Sequence, residues 1–219
     1  MNDMSRISTL TAVRQQPVPR DQTQALLDLR SAASGQIKPA DLYTLADRLE
    51  AQARAFPDRP FLIDGEQRIT YAAVEAQANR MAHVFYAKGL RPGDVCAIAM
   101  ENRPQFFYSW FGLVKLGVVV AFINTQVSGK PLVHALQSTA ARAVVVGEEC
   151  LANLLGTQGL PDVPLWLVND ALNPFDGELP AIVDIDFEQH VAAAPATVFA
   201  RDVRAAITAE TTTLLIFTS

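Results

Sequence analysis

Apolar residues first repeat with a helical period just past residue 44. Leu45, Leu49, Ala53 and Phe56 form the stripe of a helix that buries one face. Thr44 with Asp47 three residues on predicts a capping box with Asp in place of Glu, and Pro57 stops the helix. Residues 1–40 show no sustained period and read as a tail, with a short helix over 24–29. Phe61-Leu62-Ile63 and Arg68-Ile69 flank Asp64-Gly65, which predicts a hairpin with a tight turn. Thr70 caps a second helix whose apolar face is Val74, Ala78, Met81 and Phe85, and Gly89 ends it.

From there strands and helices alternate. Residues 95–100 are a continuous apolar run, as in a strand buried on both faces. Pro104 suits the first turn of a helix that closes at Gly117, and residues 118–123 are a β-branched strand. Pro131 opens a helix through Thr139, and residues 143–146, 165–168 and 213–217 make three more strands. Strands about 24 residues apart with a helix between them are what parallel crossovers require. The fold class is therefore α/β, a mainly parallel sheet flanked by helices. Residues 147–210 carry Pro161, Pro164, Pro174 and Pro180 and read as a loop-rich connection with one short helix near 187–193.

Composition narrows the picture. Half the residues are apolar and 19% charged, which is globular; the net charge of −5 lacks the basic excess of a nucleic-acid module. Residues 106–123 are apolar enough to raise a membrane span, but Lys115, Gly112 and Gly117 interrupt them, so they read as a buried helix and a buried strand. Residues 1–20 have no apolar secretory core. Cys96 and Cys150 have no metal-ligand spacing and fit a reduced, cytoplasmic protein, Cys96 as a small buried hydrophobe.

Candidate chemistry is sparse. His83, His134 and His190 fall in different predicted helices, and no zinc pattern, nucleophile elbow or complete Walker loop is present. The pairs Glu148-Glu149 and Asp184/Asp186 read as solvated faces and not as acid/base dyads. Parallel sheets bind ligands beyond the carboxyl ends of their strands, which gives weight to Asn124, Gly147 and Thr218. Leu214-Leu215-Ile216-Phe217 delivers Thr218 and Ser219 to such an end, where hydroxyls and backbone N–H groups suit phosphate oxygens.

Several segments carry a resemblance. Ile69-Thr70-Tyr71, Leu90-Arg91-Pro92-Gly93-Asp94-Val95, Val114-Lys115-Leu116-Gly117-Val118-Val119 and Leu215-Ile216-Phe217-Thr218-Ser219 resemble, in order, core motifs of the adenylate-forming (acyl-CoA synthetase) superfamily. Asn102-Arg103-Pro104-Gln105-Phe106, Gly112-Leu113-Val114-Lys115-Leu116-Gly117, Ile123-Asn124-Thr125 and the context of His134 are similar to its fatty acid transport protein and very-long-chain acyl-CoA synthetase branch.

The resemblance implies that residues 41–219 are the N-terminal part of an AMP-binding domain, with 1–40 a tail. It implies ATP, Mg2+ and coenzyme A as cofactors, a fatty acid as substrate, and Thr218 and Ser219 as donors to ATP phosphates, with no catalytic residue or metal ligand in this stretch. The glycines and lysine of the phosphate loop, the adenine-binding aromatic segment, the magnesium-ligating acid, the ribose-binding aspartate and the C-terminal lysine are not among the 219 residues. This polypeptide alone is therefore expected not to form acyl-CoA, and to expose an apolar sheet face that favours association. Residues 1–20 have no counterpart of the hydrophobic leading segment of the animal transport proteins, which implies a cytoplasmic enzyme with peripheral contact to the inner membrane left open. A non-catalytic binding module of the same fold and an aryl-CoA or acyl-carrier ligase remain alternatives at this point.

Overall fold

The computed structural model describes residues 19–169 and 178–217, so Thr218, Ser219 and the first 18 residues of the expected tail lie outside the described residues. The chain divides into two compact units, Met1–Lys38 and Pro39–Ser219. In the first, α1 (Arg20–Ser34) is longer than the helix expected over 24–29, and all its residues are exposed. Gln, Ala, Leu and Arg propagate it as good helix formers, and Gln24 Nε2 donates to Asp28 Oδ1 one turn on, at 2.8 Å.

The second unit opens with α2 (Leu45–Ala55) under the expected capping box, Thr44 Oγ1 accepting from the Asp47 N–H and the Asp47 carboxylate accepting from the Thr44 N–H. Strands β1 (Pro60–Asp64) and β2 (Gln67–Thr70) form the antiparallel hairpin, turning through Gly65 at φ +55°. Thr70 Oγ1 caps α3 (Tyr71–Ala87), and Gly89 follows its end at φ +95°, where a side chain would be strained.

A six-stranded, fully parallel sheet forms the centre of the unit, with the order β7-β6-β5-β3-β4-β8. Its expected members are β3 (Val95–Ala99), β4 (Val119–Phe122), β5 (Ala143–Gly147), β6 (Leu165–Val168) and β8 (Leu214–Ile216). Helix α4 (Pro104–Lys115) joins β3 to β4, with Pro104 in its first turn, and α5 (Gly129–Thr139) joins β4 to β5. The stretch 106–123 is thus a buried helix and strand, and among the described residues no helix is long and apolar enough to cross a membrane.

Alternate strand residues feed two cores. Cys96, Ile98, Val120 and Val145 face α3, α4 and α7 (Phe187–Ala193), where Trp166 stacks on Phe85 and Phe187 at 5.5 and 5.8 Å. Ala97, Ala121, Val144 and Val146 face α5 and α6 (Glu148–Gly156).

The region 147–210 is more regular than expected. It holds α6, the short strand β7 (Val183–Asp184) and a 3-10 turn over Arg201–Arg204, besides the expected helix at 187–193. Helix α6 forms because Cys150, Leu151 and Leu154 share one face that the sheet buries, while Glu148 and Glu149 occupy its first turn, where the helix dipole favours acids.

Candidate active-site edge

All six strands point the same way, so their carboxyl ends form one edge. Register pairs Ile98 with Phe122 and Phe122 with Ile216, which places the loop after β3, the loop after β4 and the end of β8 side by side. Gly147 pairs with Val168 on the other side of β3.

The chain reverses its direction across the sheet between β3 and β5. It runs from β3 out to β4, crosses back to β5 and proceeds to β6 and β7 before returning to β8. Such a reversal opens a crevice where parallel sheets take ligands. Here an internal ion cluster fills it. Arg103, just before Pro104, meets both carboxylate oxygens of Glu148 at 3.0 and 3.1 Å and donates to the Val168 carbonyl at 2.8 Å. Glu149 reaches Arg103 at 3.4 Å and accepts from the Glu101 N–H at 2.7 Å. The Glu148 side chain is 4% exposed, so the expectation that Glu148-Glu149 is a solvated face is corrected for Glu148, which Arg103 holds inward, while Glu149 stays exposed beside it. Asp184 is likewise paired, with Lys88, and not freely solvated. In both pairs a cation holds at least one carboxylate, Arg103 on Glu148 and Glu149 and Lys88 on Asp184, which disfavours a proton shared between two acids.

Beside this cluster a groove of about 360 Å³ lies between the hairpin and α4, lined by Leu62, Ile63, Asn102, Phe106 and Phe122. Phe122 also packs on Phe106 at 4.9 Å and is the strand neighbour of Ile216, so the groove adjoins the end of β8. Asn124 is exposed and closes its own turn by accepting from the Gln126 N–H at 2.9 Å.

The remaining candidates are placed elsewhere. His83 and His190, unrelated by spacing, line one groove between α3 and α7, while His134 is exposed on α5. The His83 ring is held at 3.2 Å from the Thr197 carbonyl and edge-on to Phe199. Among the described residues no group of three His, Cys, Asp or Glu could hold a metal ion. Burial pushes the Cys150 thiol up to about 12, helped by the charges of Glu149 and Glu101, and burial raises Cys96 as well. Both thiols are buried, and burial disfavours the thiolate that a nucleophile needs.

The sequence did not single out Arg103 with Glu148 and Glu149 as a cluster. The usable signal was position, since Arg103 precedes a first-turn proline and the two acids follow the end of a buried strand.

Comparison with known proteins agrees with this architecture. Over 142 residues the chain is 37% identical to human long-chain fatty acid transport protein 6, covering 62% of this chain and 22% of that protein. Over 105 residues it is 39% identical to mouse long-chain fatty acid transport protein 1, covering 47% of this chain and 16% of that one. The chain therefore spans about a fifth of the length of these curated relatives. Among solved structures, a Mycobacterium tuberculosis fatty acyl CoA synthetase aligns with TM-score 0.65 and 22% identity over 80% of this chain and 32% of that one. A benzoate CoA ligase from Burkholderia xenovorans aligns at 0.58 and 24% identity, over 73% and 30%. Identities this low speak to the fold alone. The model of the AMP-binding enzyme family matches residues 49–219, and the chain belongs to that family.

Proposed function

We propose that this chain supplies the N-terminal part of the AMP-binding domain of a long- or very-long-chain fatty acyl-CoA synthetase. The fatty acid carboxylate attacks the α-phosphorus of Mg-ATP, the bond to the bridging oxygen breaks, and pyrophosphate leaves an acyl-adenylate. The thiol of coenzyme A then attacks the acyl carbonyl, and AMP departs as the thioester forms.

Within these residues the contribution is to the first step. The hydroxyls and N–H groups of Thr218 and Ser219 donate to ATP phosphate oxygens, offsetting charge that builds up as pyrophosphate leaves. The observation that supports the reading is β8, which runs parallel to β4 and ends with Ile216 at the carboxyl edge of the sheet, two residues before Thr218 in the sequence. Mg2+ and coenzyme A follow from the family reading, Mg2+ lowering the charge of the phosphates when bound. The same reading makes the fatty acid the bound partner and the location cytoplasmic, with peripheral contact to the inner membrane left open.

The test is pyrophosphate release by the protein translated from the complete gene, given a long-chain fatty acid and Mg-ATP. Replacing Thr218 and Ser219 together by Ala should lower the rate by about 10²-fold, the usual cost of losing such donors. Undiminished release would sink the assignment. A polypeptide of these 219 residues by itself is expected to form no thioester.

A further inference from the structure

The opposite edge of the sheet, at the other end of α4 from the candidate groove, holds a buried charge network that no part of the proposed chemistry uses. Lys115, at the end of α4, and Arg204, in the 3-10 turn that precedes β8, are both fully buried. Lys115 Nζ donates to Glu50 Oε1 and to Glu75 Oε1, each at 2.7 Å. Arg204 donates to the same Glu50 Oε1 and to Asp47 Oδ1, each at 2.9 Å, and to the Lys115 carbonyl at 3.0 Å. One carboxylate oxygen on α2 thus joins α4 to the segment that leads into β8.

That segment is also held by polar contacts to its backbone, besides the burial of Phe199 in the core. Asn79 on α3 donates to the Ala196 carbonyl and accepts from the Phe199 N–H, both at 3.2 Å. Arg80 donates to the carbonyls of Ala192 and Ala194. Past Arg204, Ile207 sits where a Cβ on Gly117 would lie, 2.7 Å from Ile207 Cγ1, and Ala209 and Glu210 donate to the Asp41 and Pro39 carbonyls at 2.9 and 3.1 Å. The chain then enters β8, three residues long and the last strand of the sheet on that side. At about 3.3 Å per residue, β8 itself runs roughly 10 Å from its entry to the carboxyl edge.

We propose that Glu50 is a positioning residue: through Arg204 it fixes the entry of β8, the strand that precedes the phosphate donors proposed at Thr218 and Ser219. This rests on the reading of those two residues as phosphate donors, but the mechanical claim is testable without nucleotide. Glu50→Gln keeps the shape and leaves each cation one carboxylate, Glu75 for Lys115 and Asp47 for Arg204, so the unit should fold. Amide hydrogen exchange on the 219-residue chain then reads the effect directly. Residues 205–217 should exchange on the order of ten-fold faster in the variant, while β3 and β5 change little. Arg204→Lys, which keeps the charge but cannot reach all three acceptors, should loosen the same residues. Ile98→Val, in the β3 core, is the control for general destabilisation and should not single them out. Faster exchange spread evenly over the sheet, or none at 205–217 in either variant, overturns the positioning role whatever the chain does with ATP. Selective loosening upholds it even if phosphate binding at residues 218 and 219 proves wrong.

Discussion

At the scale of single residues, the buried charges are the unexpected feature. Lys115 reads in the sequence as a charge that spoils a membrane span, and the structure buries it completely between two glutamates. Taking an unpaired ammonium out of water costs too much for it to remain charged, so full burial demands these partners. Their positions, 65 and 40 residues away, follow no local rule. Asp47 serves two structures at once, the cap of α2 and the network around Arg204. Burial alone pushes its carboxyl up, yet the hydrogen bonds from Thr44 and Arg204 and the Arg204 charge outweigh burial and hold it below the ordinary value of 3.8. A carboxyl lowered in the folded state contributes stability that is fully present above its unfolded value and is lost as pH falls through the folded value. The urea midpoint should therefore hold down to about pH 4 and fall below it, and Asp47→Asn should flatten that fall. An unchanged acid limb in the variant would assign the loss to other carboxylates.

At the scale of elements, local chemistry was legible wherever it is self-contained. The caps at Thr44 and Thr70, the glycine after α3, the proline opening α4 and the Asp64-Gly65 turn are short-range devices. Helix α6 and strand β7 were missed because they are short and gain their stability from the sheet beside them; β7 has only two residues. The approach of α3 to α4 also depends on tertiary contact, and Gly112 makes it possible. A Cβ there would lie 2.5 Å from Met81 Cβ and 3.2 Å from the Ala78 carbonyl oxygen, atoms that cannot move without the helix. Gly112→Ala should force the helices apart and cost roughly 1–3 kcal/mol, read as a lower denaturant midpoint. A gain in stability, as expected for alanine in an open helix, would show that the crossing is loose.

At the scale of the whole molecule, the alternation of strand and helix implied a parallel sheet and the structure supplied its order. Pairing β8 with β4, and not with β6 or β7, brings the carboxyl end of β8 at Ile216 beside the loops after β3 and β4. Strand β8 lies at the sheet's edge, with Ile216 64% and Phe217 40% exposed. Open edges with apolar side chains pair with other chains. The 219-residue polypeptide should associate with rising concentration in sedimentation velocity, and Ile216→Lys should weaken that association. Equal behaviour of the two proteins would locate the contact elsewhere.

The sequence by itself determined the α/β class, most strands and helices, and the family, because periodicity, capping and the ordered core motifs are read within a few residues of one another. Tertiary structure alone decided the strand order, the ion cluster that fills the β3–β5 crevice, and the network that carries Glu50 to Arg204. Those depend on charges far apart in the chain that share a buried space only after the sheet has closed, and the cost of burying each one unpaired selects the partner that no local pattern names.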